Sequence, residues 1–166
     1  MNTRTLPISS DTPTATVPTV AIRWQRLVGE QGGTCARCGD TGQEVQQAAA
    51  QLEQALAPLG VRVTLEQQAI DTTTFRQEVD ASNRIWVNDR LLEDWLGAHV
   101  GASQCTFCGT EAGADVACRT IVLDGHTYEA IPASLIIQVG LIAGAQALSA
   151  NTAPSGCGCR SGACCS

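Results

Sequence analysis

The chain of 166 residues contains no lysine; its 10 basic side chains are all arginine and stand against 16 acidic ones, for a net charge of −6. Without an amine side chain, a phosphate-binding loop of Walker type, a Schiff-base enzyme and a pyridoxal enzyme are all excluded, and no nucleotide cofactor is expected. The deficit of positive charge argues against nucleic acid, because a polyanion is bound through a basic footprint. Aromatic residues are scarce, at 4%. Trp24, Trp86 and Trp95 therefore read as core or rim residues rather than a stacking platform, since base stacking without positive charge is weak. No Ser/His/Asp order and no paired carboxylates stand out; Glu93-Asp94 reads as solvated. The first twenty residues carry one arginine and no apolar run of the kind an export signal needs. A cytoplasmic chain with reduced thiols is the expectation.

What is present in excess is sulfur. Nine cysteines cannot all pair, and in a cytosolic chain of this length they point to metal or redox chemistry rather than to a disulfide framework.

Composition divides the chain into three. Residues 1–19 are Ser/Thr/Pro-rich and read as a disordered arm, 20–149 as one folded domain, and 150–166 as a flexible Gly/Ser/Cys tail with no large apolar side chain to bury. Within the domain, Val20, Ile22 and Trp24 alternate with Ala21, Arg23 and Gln25, the period of a strand with one buried face. Val45, Ala48, Ala49, Leu52, Leu56 and Leu59 recur at helical spacing, and Pro58 and Gly60 end that helix. Val61, Val63 and Leu65 form a second strand. A short helix over 71–78 is capped by Asp71 or a following Thr. Arg84-Ile85-Trp86-Val87 is a third strand, Asn88-Asp89 a turn, Thr120-Ile121-Val122-Leu123 a fourth strand, and Asp124-Gly125 another turn. After Pro132 an apolar helix spans about 133–148 with Gly140 and Gly144 at close-packing spacing. It is shorter than the about 20 apolar residues a bilayer requires and lacks basic flanks, so no membrane is expected. It reads chiefly as a core helix, with a homodimer surface on part of it as the alternative.

The order strand, CxxC, helix, strand, short helix, strand, strand, helix predicts an α/β, thioredoxin-like fold: a central mixed sheet flanked by helices, with a cysteine-containing insertion between the third and fourth strands. The blocks Ser82-Asn83-Arg84-Ile85-Trp86-Val87-Asn88, Leu92-Glu93-Asp94-Trp95-Leu96-Gly97, Cys118-Arg119-Thr120 and Tyr128-Glu129-Ala130-Ile131-Pro132 resemble those of a family of small, uncharacterised prokaryotic thioredoxin-like proteins. The resemblance covers roughly residues 21–145. It implies the fold and passes on no activity.

Three cysteine motifs carry the chemistry. If Cys35 opens the first helix, its sulfur faces unpaired backbone amides, with Arg37 adding charge nearby, and becomes a nucleophile at neutral pH; Cys38 is then the resolving thiol or second ligand. The same Cys35-Ala36-Arg37-Cys38-Gly39 turn also suits a zinc knuckle. Cys105, Cys108 and Cys118 make a trigonal set for a soft ion, with a fourth ligand from the tail, His99 or His126, although both histidines read first as surface residues. Zinc, copper(I), mercury(II) and arsenic(III) all suit thiolates. A structural zinc stapling the insert is the plain alternative, as is one four-sulfur zinc shared by both CxxCG turns across 66 intervening residues. In the tail, Cys157, Cys159, Cys164 and Cys165 can wrap or carry an ion, the terminal pair being similar to the one with which mercuric reductases hand over metal. Thioredoxin-like oxidoreductases resemble one another in a cis-proline before the third strand. Here Ala81-Ser82-Asn83-Arg84 holds no proline, which opens space over the CxxC and favours an ion as partner.

The reading that follows is a protein that binds or transfers a thiophilic metal or metalloid ion, of use in heavy-metal or metalloid resistance, with a partner protein's thiol as a further candidate for exchange. Its alternative is a thiol–disulfide oxidoreductase with Cys35 and Cys38 catalytic. A structural zinc protein is the third.

Overall fold

In a computed structural model of the chain, residues 16–113 and 115–152 are described. The expected arm and the tail cysteines Cys157, Cys159, Cys164 and Cys165 lie wholly or mostly outside them.

The first strand, β1 (Thr19–Leu27), turns Val20, Ile22, Trp24 and Leu27 inward. Helix α1 (Ala36–Leu56) begins well before its apolar periodicity does, so the CxxC forms its first turn. A 3-10 turn (Ala57–Leu59) carrying Pro58 ends it, and Gly60 at φ 72° supplies the left-handed residue that reverses the chain into β2 (Arg62–Ile70). Next come α2 (Thr72–Gln77), capped by the Asp71 carboxylate accepting from the Thr74 N–H at 2.7 Å, and β3 (Arg84–Val87). The two strands flanking β1 run differently: β2 is parallel to it and β3 antiparallel.

At this point the structure departs from the expected single sheet. Asn88 and Asp89 both take positive φ (49° and 61°), a tight reversal that pairs the chain back at once as β4 (Arg90–Leu91), with Trp86 opposite Leu91. The free edge of β3 is thereby taken, and the first sheet ends as β2-β1-β3-β4. Thr120–Leu123 is a strand as expected, but within β6 (Ala117–Leu123), and its partners are others. After α3 (Leu92–Leu96), β6 is the centre of a second, antiparallel sheet between β5 (His99–Gln104) and β7 (His126–Tyr128). Helix α4 (Thr106–Ala112) fills the β5–β6 connection. Cys105, Cys108 and Cys118 thus belong to this second sheet and its helix, not to an insertion in the first.

The last helix, α5 (Ala133–Thr152), runs longer than its expected 133–148, so its length alone no longer excludes a membrane span. Its packing shows where its small-residue stripe goes. A Cβ at Gly140 would overlap the Leu52 side chain, and one at Gly144 would meet Leu56 at 3.0 Å. With Ile136, Val139 and Ala143 fully buried, that face closes on α1 and β1, the core role expected of it. The Glu44 carboxylate of α1 accepts from the Ala133 N–H at 2.7 Å and Thr41 Oγ1 accepts from Ile131 N–H at 3.1 Å, which docks the α5 entrance onto α1.

A four-sulfur candidate site between the two sheets

Cys35 is the N-cap of α1, in extended conformation, and its sulfur accepts from the Cys38 backbone N–H at 3.4 Å. This is the helix-start placement that the CxxC implied. The second half of the site comes from the other sheet: Cys105 is the N-cap of α4, Cys108 lies in that helix, and Cys118 is in β6. The sulfurs of Cys35, Cys105, Cys108 and Cys118 all lie within 4.8 Å of one another. The Cys118 thiol donates to the Cys108 sulfur at 2.8 Å. Cys35, Cys108 and Cys118 are buried and Cys105 is half-buried.

Among the described residues the sulfurs group differently from the histidine and paired-CxxC arrangements considered in the sequence, while the tail cysteines offered as a fourth ligand lie outside those residues. The triplet stays together, but its fourth neighbour is Cys35 rather than a histidine; His99 and His126 are exposed at strand ends, the latter against Tyr128. Nor do the two CxxC pairs meet as pairs. Cys38 is one helical turn beyond Cys35, and its sulfur is 3.5 Å from Ser82 Oγ, outside the four-sulfur group. Ser82 stands in the stretch where the cis-proline was missed. Its hydroxyl also accepts from the Leu27 N–H at 3.0 Å, and the described peptides contain no cis bond. The space expected to be open over the CxxC is occupied by the sulfurs of α4 and β6.

Three polar devices hold the halves together. Arg37, expected to lend charge to Cys35, instead spends its guanidinium on β5, donating to the Ser103 and Gln104 carbonyls and pairing with Glu129 at 3.0 Å. Arg76 of α2 donates to the Ala112 and Glu111 carbonyls at 2.9 Å, satisfying the last turn of α4. The Glu111 carboxylate lies over Gly29, where any Cβ would come within 2.8 Å of it, and accepts from the Glu30 N–H. A side chain at Gly29 would displace the Glu111 carboxylate from this position. Arg76 and Glu111 carry no signal in the sequence, because no periodicity records a contact between α4 and α2 or the β1–α1 loop.

The electrostatics are those of a shared thiol network. Hydrogen bonds from Cys108 and then Cys118 and Cys38 hold Cys35 far below the ordinary thiol range. Cys38 is pushed far up by its hydrogen bond to Cys35, and burial adds to this. Cys118 rises because it donates to Cys108 and bonds Cys35. In Cys108 the bond from Cys118 acts downward, but Cys35 and burial outweigh it and the net shift is up. Without an ion, one thiolate is thus solvated by neighbouring thiols. Four sulfurs bound to a tetrahedral ion at about 2.3 Å would stand roughly 3.8 Å apart. The observed group needs only small side-chain shifts to reach that, so it can hold a metal ion.

The family described as "Domain of unknown function (DUF2703)" matches residues 20–140. The chain is 36% identical over 118 residues to an uncharacterized protein of Archaeoglobus fulgidus, covering 70% of this chain and 82% of that one. No solved structure matches it.

Proposed function

We propose that this chain, which belongs to the DUF2703 family, is a thiol protein of thioredoxin-like fold that binds a thiophilic ion through Cys35, Cys105, Cys108 and Cys118. The observation that carries the reading is the convergence of four sulfurs from two sheets within 4.8 Å. The thioredoxin-like part of it is supported by the β2-β1-β3-β4 order and by a CxxC at the junction of β1 and α1. Burial and mutual hydrogen bonding favour a resident, strongly held ion. A tetrahedral ion such as zinc uses all four thiolates, and a three-coordinate metalloid such as arsenic(III) would use the Cys105, Cys108 and Cys118 set. The domain so defined spans 20–149, with the tail cysteines as a separate unit for carrying ions. Its free thiols suit a reducing, cytoplasmic setting.

Protein purified anaerobically should contain one ion in the domain, and the free-thiol count should rise by four on denaturation with a chelator. Cobalt(II) substitution should give the intense absorption of tetrahedral thiolate coordination. A metal-free protein with all thiols freely titrating, and no uptake of zinc, cadmium or arsenite under reduction, would overturn the proposal. A second reading, thiol–disulfide exchange at Cys35 and Cys38, is favoured by one observation: Cys38 is left out of the four-sulfur group while its N–H points at the Cys35 sulfur.

A further inference from the structure

The four sulfurs are not equally enclosed. Cys35, Cys108 and Cys118 are each no more than 5% exposed, while Cys105 is half-buried. Cys105 also borders a cleft of about 390 Å³ whose other lining residues are Gln104, Thr106, Gly109, Thr110 and Asp115. As the α4 N-cap it makes no side-chain capping bond, in contrast to Cys35, whose sulfur holds a backbone N–H. Cys105 is therefore the one ligand residue of the four that borders open space and is free of a capping bond to the backbone, although its sulfur sits within the buried group.

Soft ions change hands by association. An incoming thiolate must reach the ion before an outgoing one departs, so a buried centre exchanges only where a ligand borders open space. The cleft is the right size for a small molecule rather than a protein surface. Its lining is polar, and the one charged residue among the described residues that line it is Asp115, with its carboxylate, in a chain of net charge −6. Both features repel an anionic carrier and attract an ammonium group.

We propose that ions reach and leave the centre by thiolate exchange at Cys105, through this cleft, and that the carrier is a small amine-bearing thiol whose ammonium pairs with Asp115. The step conserves electrons: the carrier's sulfur bonds the ion as its proton passes to the departing Cys105 sulfur, and delivery runs in reverse. The inference rests on the four-thiolate reading above and adds its route and its partner.

The test uses the full chain with Cys157, Cys159, Cys164 and Cys165 changed to Ser, reduced and loaded with cadmium(II). Cadmium–thiolate absorption reports loading. Its decay in excess EDTA, with cysteamine or 3-mercaptopropionate added and rates expressed per thiolate, reports exchange. Loss should accelerate with thiol concentration, and cysteamine should exceed 3-mercaptopropionate by about threefold to tenfold, the range for one screened charge. Asp115→Asn should bring the two thiols close to parity. Thr110→Trp, at an exposed helix position lining the cleft, should slow the thiol-dependent rate about tenfold by filling a site of this size, with loading unchanged. Loss independent of thiol, or unchanged by Thr110→Trp, would overturn the route; equal rates in the parent with Asp115 intact would overturn the carrier. Failure to develop the thiolate absorption at all would instead overturn the metal centre itself.

Discussion

The division of the CxxC between two environments has a direct consequence in paired variants. Cys35→Ser removes one of four thiolates from the group, whereas Cys38→Ser removes a sulfur whose nearest polar neighbour outside the motif is the Ser82 hydroxyl. Four-ligand zinc sites in small domains bind with apparent free energies of about 10–16 kcal/mol, or roughly 2.5–4 kcal/mol for each ligand. At about 1.4 kcal/mol per decade, Cys35→Ser should weaken zinc binding by roughly two to three orders of magnitude. Cys38→Ser keeps a hydroxyl facing Ser82 and leaves all four sulfurs in place, so its affinity should stay within about threefold, and folding stability should fall by about 1 kcal/mol, the order of cost for burying a hydroxyl in place of the less polar thiol. The assay is competition for zinc against a chromophoric chelator under strict reduction, with circular dichroism to verify folding. Equal losses in the two variants would refute the assignment of Cys35 alone to the cluster. Unchanged affinity in Cys35→Ser, with loss of disulfide reduction in both variants, would favour exchange chemistry.

Three further outcomes follow from the same geometry. Cys108 and Cys118 are held protonated in the ion-free protein by their raised pKa values, and an ion needs their thiolates. Binding should therefore release at least these two protons near pH 7, measurable in weak buffer, and affinity should fall steeply on acidification. Arg37→Ala removes the ties from α1 to Ser103, Gln104 and Glu129 without touching a ligand. It should weaken zinc binding by about tenfold, equivalent to a charge-assisted hydrogen bond or two, while an unchanged affinity would deny that Arg37 aligns the half-sites. Gly140→Leu drives a side chain into Leu52, whereas Leu141→Ala trims a residue 44% exposed. Thermal or urea denaturation should show a loss of at least about 2 kcal/mol for the first and about 0.5 kcal/mol or less for the second. The reverse order would place the α5 interface on the wrong face.

Much of the fold could be read from local patterns because local physics makes it. The alternation of Val20, Ile22 and Trp24 reports a one-sided strand, the Asp71 cap starts α2 where expected, and Gly60 ends the turn after α1. The limits were equally physical. Strand β5 (His99–Gln104) has few large apolar residues and leaves little alternation to find. Its Gly101 is needed because a Cβ there would fall 2.6 Å from Thr120 Oγ1, a condition imposed by the partner strand. The sheet to which Thr120–Leu123 belongs depended on Asn88 and Asp89 closing β3 against β4 first.

The candidate chemistry was legible in the sequence alone: with no lysine and nine cysteines, thiol groups are the conspicuous reactive side chains, and thiolates are ligands that could hold a metal ion. Which thiolates act together was decided in three dimensions. Cys35 and Cys38 look like one unit in the chain, yet the N-cap position turns the first sulfur toward α4 and β6 while the first helical turn carries the second to Ser82. Cys35 meets Cys105, Cys108 and Cys118 because Arg37, Arg76 and Glu111 clamp two sheets together. Contacts of that range depend on packing between distant segments, which no spacing within either segment encodes.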